Sequence, residues 1–220
     1  MVSHFKTDQL AIVLDQTQSF ALDNGAFSHW KQSGGEGIDF EAYVDWVSSL
    51  YRHPGFDFCL IPDVIDGELQ DNVGLINRWC RMGISPKGVP VFHMDEPDEW
   101  LAELVADWQM VAIGSSGKYS TPGTQTWWRR MDQIMQVCCD EEGRPKIKLH
   151  GLRMLSIDIF KWLPLSSADS TNAGRHKGDI SRFGMYPAPS AGARAAAIAS
   201  RIEAVNSAPV WLGRNQLELL

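Results

Sequence analysis

Two carboxylates, Asp23 and Asp169, follow short apolar runs of the 220-residue chain and stand beside small or polar residues. Cleavage of an N-glycosidic bond builds positive charge on the sugar, which one carboxylate can stabilise or capture. A second carboxyl group can transfer the proton of the base, which typically accelerates the step by about 10²–10⁴-fold. The two aspartates therefore suit chemistry at a sugar–base bond. Each has a structural alternative, because Asp23-Asn24-Gly25 is typical of a tight turn and Asp169 of a helix N-cap.

Polar residues that could bind or react with a ligand follow six of the predicted strands. They are Asp23 and Asn24; Asp63 and Asp66; His93, Asp95 and Glu96; Gly114, Ser115 and Lys118; His150, Gly151 and Arg153; and Asp169 and Asn172. In a parallel α/β fold the carboxyl ends of the strands meet at one rim, where active sites lie. We therefore expect these residues to form one pocket. The alternative is that they are polar only because they lie in loops.

The elements that would carry these residues alternate along the chain. Apolar runs predict strands at 10–14, 20–22, 58–61, 89–92, 111–113, 147–149, 163–165 and 210–212. Helical spacing of apolar residues predicts helices over 40–50, 69–81, 97–108, 127–138, 155–162 and 190–205. This alternation indicates parallel βαβ units and hence an α/β fold. An open doubly wound sheet would also fit, but the number of strands favours a compact or incomplete (β/α)8 TIM-like barrel, built as a single domain over 1–220.

The first apolar run fits this fold least well. Few residues separate position 14 from position 20, too few for a crossover helix between parallel strands. We therefore expect residues 10–14 to pair as a hairpin or to plug the bottom of the barrel.

Charge and composition limit the classes of protein that the chain can be. The formal net charge of −7 argues against a protein that coats nucleic acid through overall basicity, although a local basic patch is still possible. No run approaches the ~20 apolar residues that span a bilayer, and residues 1–9 lack the apolar core of a signal peptide. Four cysteines without CxxC spacing predict no zinc site and no disulfide framework. We expect reduced core thiols, a cytoplasmic location, and no membrane, metal or cofactor.

Five segments resemble, in matching order, the tRNA-guanine transglycosylases, which exchange guanine for queuine or a 7-deazaguanine precursor. The segments are 20–28, 58–64, 111–117, 148–153 and 168–173. The resemblance is closest to the small phage-type members that place 7-deazaguanines in DNA. The zinc-binding Cys-x-Cys-x-x-Cys…His motif of the family is absent, as is most of the region that carries it. DNA is therefore expected as the substrate in preference to tRNA.

The resemblance implies a role for several strand-end residues. Asp169 would be the nucleophile that forms a covalent glycosyl-enzyme, and Asp23 the general acid and base. The base would be bound by Asp63 and Asn24 and by the backbone around Gly114 and Ser115. The remaining contacts would come from His150 and Gly151 near the sugar and from Asn172.

Other contacts are suggested by the residues themselves. Phe27 directly follows the Asp23 loop and is our candidate for stacking on the base. Lys118, Arg153 and Arg175 are candidates for binding the sugar-phosphate backbone while a nucleotide is flipped into the pocket. For each of these charged residues the alternative is an ordinary solvated surface.

Two other functions fit the same sequence. The acidic charge and short chain also suit a nucleoside or nucleotide N-glycosidase that acts on small molecules. A second alternative is a protein with the same fold that binds purine nucleotides but catalyses no reaction. The sequence predicts no oligomeric state.

Overall fold

A computed structural model describes residues 1–33, 38–83, 88–170 and 188–213. The chain divides into two compact units, Met1–Glu96 and Pro97–Leu220. Each unit combines parallel strands with α-helices, so the predicted α/β class is confirmed. None of the helices in the described ranges is long and apolar enough to cross a membrane.

The first unit contains a four-stranded parallel sheet whose order follows the chain. Its strands are β1 (Val2–Ser3), β2 (Phe20–Asp23), β3 (Phe56–Leu60) and β4 (Gly88–Val89). β5 (Val91–His93) follows β4 and lies outside this sheet. The helices are α1 (Leu10–Gln16), α2 (Ala26–Ser33), α3 (Phe40–Leu50) and α4 (Leu69–Met82). Four of the five β3 residues are buried, as expected for a parallel strand covered on both faces.

The second unit contains three parallel strands that also pair in chain order. They are β6 (Met110–Gly114), β7 (Lys148–Leu152) and β8 (Ser167–Ala168). The helices are α5 (Asp98–Asp107), α6 (Gln125–Cys138), α7 (Ile157–Phe160) and α8 (Ala191–Glu203). The register places His150 of β7 opposite Ser167 of β8 and Gly151 opposite Ala168. The end of β7 is therefore fixed beside the chain that leads to Asp169.

Three of the longer predicted helices, α3, α4 and α6, are confirmed. Each begins or ends at a residue that can cap it. Asp39 accepts a hydrogen bond from the N–H of Ala42 at the start of α3, and Thr124 accepts one from Trp127 at the start of α6. The helix α4 ends at Gly83, whose φ of 63° is left-handed. These local signals agree with the buried apolar faces of the same helices.

The predicted strand at 10–14 is wrong, because these residues form helix α1. None of the α1 residues is buried, and Ile12 is 68% exposed. The neighbour of β2 is instead β1, which pairs Val2 with Leu22. A short apolar run fits a strand and a helix equally well, and a two-residue strand shows no periodicity at all. No hairpin is formed, and α1 connects the parallel strands β1 and β2.

Two further predicted strands are also wrong. Residues 163–165 are irregular, and β8 begins only at Ser167. Residues 210–212 form no strand, but the N–H of Trp211 donates to the carbonyl of Gly143 at 2.7 Å. A Cβ on Gly143 would lie 2.1 Å from the Trp211 carbonyl oxygen, so only glycine permits this approach. Here a single backbone contact takes the place of the expected strand pairing.

Several residues with possible chemistry are part of the core or its edge. Cys59, Cys138 and Cys139 are buried thiols, as expected, whereas Cys80 is exposed. Burial raises the pKa of Cys59 to about 12, so this thiol is inert at neutral pH. The side chain of Arg130 is 9% exposed, and its guanidinium pairs with Asp98 at 2.6 Å. Arg130 is therefore not part of an exposed basic patch.

Candidate functional site

Asn24 ties together the ends of two neighbouring strands in the first unit. Its side chain donates to the carbonyl of Ile61 at 2.8 Å and to Oδ1 of Asp63 at 2.7 Å. Its own oxygen accepts from the N–H of Ala26 at 2.8 Å, and Asn24 is 2% exposed. In this structure Asn24 shapes the loop after β2. Its predicted contact with a base would require exchange of one of these bonds.

Asp63 belongs to a buried network that we call the acid–histidine cluster, formed by Asp63, Asn72, His93 and Glu96. His93 Nε2 lies 2.9 Å from Asp63 Oδ2, and the backbone N–H of His93 donates to Glu96 Oε2 at 2.8 Å. Asn72 donates to Glu96 Oε1 at 3.1 Å and accepts from the N–H of Val64 at 2.8 Å. The side chains of Asp63 and His93 are 9% and 7% exposed. Both Asp63 oxygens have partners inside the protein, and its predicted role in base binding stays a prediction.

The flanking carboxylates determine the charge of His93. Burial by itself lowers the pKa of His93, but the hydrogen bonds and charges of Asp63 and Glu96 outweigh it and raise that pKa to about 10. The 3.1 Å contact between Asn72 Nδ2 and His93 Nδ1 would suit a neutral ring. The Glu96 Oε1 atom, however, is 3.5 Å from the same nitrogen. Because one carboxylate faces each ring nitrogen, we assign a cationic imidazolium to His93.

This assignment predicts a late titration and a matching loss of stability at high pH. The ring signals of His93 in NMR spectra should move around pH 10, far above the ordinary value of about 6.5. Because the folded-state pKa is raised, the stabilisation is complete below about pH 6.5 and disappears as the pH rises through about 10. Urea unfolding across this range measures that loss. Titration of His93 near the ordinary value would contradict the assignment.

Asp169 is held by the second unit immediately after β8. Its Oδ1 atom accepts from the N–H of Arg153 at 3.0 Å and lies 3.7 Å from Nε2 of His150. The Asp169 backbone N–H donates to the carbonyl of Gly151 at 3.1 Å. The Asp169 side chain remains 29% exposed, whereas that of His150 is 3% exposed. One oxygen of the carboxylate is thus oriented while the group still reaches solvent, as a nucleophile requires.

Two backbone features make this arrangement possible. Arg153 has a φ of 61°, a left-handed conformation that is uncommon for a residue with a side chain and that accompanies the contact of its N–H with Asp169. A Cβ on Gly151 would lie 2.8 Å from Leu165 Cδ1 and 2.9 Å from Met154 Cβ. The loop around Asp169 therefore depends on a glycine at position 151.

Gly151→Ala should destabilise the protein by about 1–3 kcal/mol, because the added methyl group has no space. Gly74→Ala is the matched control, since Gly74 lies inside α4 and an added Cβ there meets nothing within 4 Å. The control should be more stable than the parent by about 0.5–1 kcal/mol. Urea unfolding of both variants measures the difference. Equal stability of Gly151→Ala and the parent would contradict the tight packing.

The remaining predicted residues are distributed over both units. In the first unit, Asp23 Oδ1 accepts from the N–H of Gly25 at 3.2 Å, the tight turn that its sequence suggests. Phe27 is 40% exposed on α2, with its ring centre 5.9 Å from that of Trp30, and its predicted stacking on a base stays a prediction. In the second unit, Gly114 ends β6.

Four further predictions concern polar contacts. The Ser115 hydroxyl accepts from the indole N–H of the buried Trp127 at 2.9 Å, so this side chain is already engaged. Lys118 is exposed, with its ammonium 5.1 Å from the Tyr119 ring centre. Asn172 and Arg175 lie outside the described residues.

Two polar contacts are not indicated by the sequence. Asn72, which donates to Glu96, lies near the start of α4 and is buried, with no motif to separate it from an exposed helical residue. Ser167 Oγ lies 2.8 Å from His150 Nδ1, a contact fixed by the register of β7 and β8. His93 and Glu96 do appear among the strand-end residues, but their pairing with Asp63 is evident only from the fold. Within the described ranges, no group of three or more His, Cys, Asp or Glu residues could hold a metal ion.

A cavity of about 630 Å³ opens in the second unit beside the chain that carries Asp169. Its walls include Leu165, Ala168 and Ser170 together with Ala199 and Ile202 of α8. This volume lies within the range of small-molecule sites in proteins. Comparison of the chain with protein-family models, with curated proteins and with solved structures finds no match.

Proposed function

We propose that the protein is a base-exchange glycosyltransferase that replaces guanine in DNA with a 7-deazaguanine. The observation that carries the proposal is the state of Asp169, a carboxylate oriented through one oxygen yet 29% exposed at the end of a parallel strand. A nucleophile at a sugar carbon needs this combination of fixed geometry and access. The carboxyl ends of parallel strands are also where α/β enzymes place their catalytic groups.

The reaction proceeds by two displacements at C1′ of the nucleotide. In the first, an Asp169 oxygen bonds to C1′, the bond from C1′ to the guanine nitrogen breaks, and Asp23 gives the departing base a proton. In the second, Asp23 takes a proton from the incoming 7-deazaguanine, whose nitrogen bonds to C1′ and releases Asp169. Two inversions retain the configuration of the sugar, and neither step needs a metal or redox cofactor.

Base recognition in this proposal belongs to residues of the first unit. Asp63 and Asn24 exchange their mutual hydrogen bond for bonds to the base, and Phe27, which is 40% exposed, stacks on it. The His93 cation keeps Asp63 in one orientation. In the second unit, the backbone around Gly114 and Ser115 contacts the base carbonyl.

Exposed cations of the second unit suit the phosphates of DNA. Lys118 and Arg153 both have exposed side chains, in keeping with contacts to a charged backbone. The free state of all four cysteines suits a reducing, cytoplasmic compartment.

The strand order supports a barrel as the scaffold. Within each unit the paired strands follow the order of the chain, as in a (β/α)8 barrel. A doubly wound sheet instead reverses its order at the point where ligands bind. We therefore propose a compact (β/α)8-like barrel over residues 1–220.

Release of labelled guanine tests the substrate class. Duplex DNA, tRNA and free nucleosides are each incubated with the protein, with and without an incoming 7-deazaguanine. We expect release from DNA that depends on the incoming base and that falls steeply as salt is raised. Salt-insensitive hydrolysis of free nucleosides would instead identify an N-glycosidase for small molecules. Purine binding without any release, unchanged in Asp23→Asn and Asp169→Asn variants, would identify a binding protein.

A further inference from the structure

In the second unit, His150 of β7 lies between the hydroxyl group of Ser167 in β8 and the carboxylate of Asp169, which directly follows β8. Its Nδ1 atom is 2.8 Å from Ser167 Oγ, and its Nε2 atom is 3.7 Å from Asp169 Oδ1. The imidazole is 3% exposed, so bulk water has little access to the ring. We call these three residues the Ser–His–Asp row.

The direction of the Ser167 hydrogen bond and the tautomer of a neutral His150 depend on each other, and the Asp169 carboxylate distinguishes between the two arrangements. If Ser167 donates to Nδ1, the proton of the ring is on Nε2 and is directed at Asp169. If Ser167 accepts from Nδ1, the lone pair of Nε2 faces the Asp169 carboxylate and the two repel each other. Because the second arrangement places the lone pair of a buried ring nitrogen 3.7 Å from a carboxylate oxygen, the first is favoured.

We propose that Ser167 is a positioning residue that holds His150 in the Nε2–H form, so that its proton faces Asp169. The part of this proposal that concerns catalysis rests on the proposed function, whereas the tautomer does not. The Asp169 carboxylate loses its negative charge when it bonds to C1′ and regains it when the incoming base displaces it. The Nε2–H of His150, directed at the Asp169 carboxylate, stabilises the negative charge that forms again on Asp169. It therefore favours displacement of Asp169 from the sugar in the second step.

The backbone keeps the row in register. His150 and Ser167 are partners in the pairing of β7 with β8, and Asp169 is tied to β7 through the Gly151 carbonyl. The spacing of 3.7 Å between His150 Nε2 and Asp169 Oδ1 is longer than a hydrogen bond, and such contacts commonly tighten when substrate binds. Ser167 is therefore placed to act on Asp169 through the imidazole.

Two measurements test the proposal, and the first does not require any activity. Nitrogen-15 NMR of the His150 ring at about pH 8, well above the ordinary histidine pKa, distinguishes the two tautomers and the cation. We expect the Nε2–H form in the parent and in Ser167→Thr, and a mixture of both tautomers in Ser167→Ala. Ser166→Ala is the matched control, because Ser166 is exposed and its backbone N–H, which it keeps, bonds to Leu149. An Nδ1–H ring or a cation in the parent would overturn the proposal.

The second measurement is the rate of base exchange. Ser167→Ala should lower kcat by on the order of 10- to 10²-fold with little change in KM, and the trapped glycosyl-enzyme should accumulate. Ser167→Thr should recover most of the rate, and Ser166→Ala should be unaffected. An unchanged kcat in Ser167→Ala would overturn the catalytic part. If the parent protein exchanges no base, but its ring has the Nε2–H form and Ser167→Ala gives the mixture, the proposed function fails while the assignment to Ser167 stands. An unchanged Nε2–H form in Ser167→Ala would overturn that assignment.

Discussion

Asp169→Asn should reduce base exchange by on the order of 10³-fold or more, because an amide oxygen is a poor nucleophile towards the sugar carbon. The variant should fold normally. The amide oxygen that replaces the carboxylate can still accept from the N–H of Arg153, and the backbone bonds at this position are unchanged. Release of labelled guanine from duplex DNA in the presence of a 7-deazaguanine measures the loss.

Trapping the intermediate makes this test specific to the nucleophile. Parent protein that is denatured during turnover should carry a covalent nucleotide adduct, and Asp169→Asn should carry none. Asp158→Asn is the matched control, because Asp158 lies in the same unit and its side chain is 91% exposed. Full exchange by Asp169→Asn would refute its role as nucleophile, whatever the behaviour of the control.

His93→Ala should lower the free energy of unfolding by about 3–5 kcal/mol, because it removes the cation from between two nearly buried carboxylates. Asp63 and Glu96 have side chains that are 9% and 8% exposed, so water can replace little of the lost interaction. Urea unfolding at neutral pH measures the change. Asp66→Ala, at an exposed position in the loop after β3, should cost less than about 0.5 kcal/mol.

A second substitution shows whether charge causes the effect. In the His93→Ala background, Glu96→Gln should restore part of the lost stability, since it removes one of the two uncompensated charges. If the cost instead arose from an empty space left by the ring, Glu96→Gln would give no recovery. A loss below about 1 kcal/mol in His93→Ala would contradict the cationic state assigned to this residue.

The parts of the fold that the sequence predicts well are those with long, local signals. The helices α3, α4 and α6 each combine an apolar face with a cap residue or a terminal glycine, and each lies close to its expected position. The helix α1 and the strand β1 are too short to show a period, so their identities depend on what packs against them. The sequence places residues 210–212 in a strand because they are apolar, whereas their actual partner is the backbone of Gly143.

In the candidate site, too, the sequence predicts the residues with a local signal and misses those without one. His150 and His93 are recognisable because each directly follows an apolar run, and Asp169 because it lies in the polar segment after the run at 163–165. The partners of these residues are not recognisable, since contacts such as Asn72 with Glu96 and Ser167 with His150 join positions far apart in the chain. Which polar groups pair is decided by strand register and burial. Neither strand register nor burial can be predicted from the residues next to these positions in a single sequence.

The contact between Gly143 and Trp211 has a consequence for how this region can change in evolution. It closes the chain between these two residues into a loop that contains β7, α7, β8 and α8. A Cβ at position 143 would lie 2.1 Å from the Trp211 carbonyl oxygen, so any side chain there would break this closure. Descendants of this protein that keep the closure must therefore keep glycine at position 143.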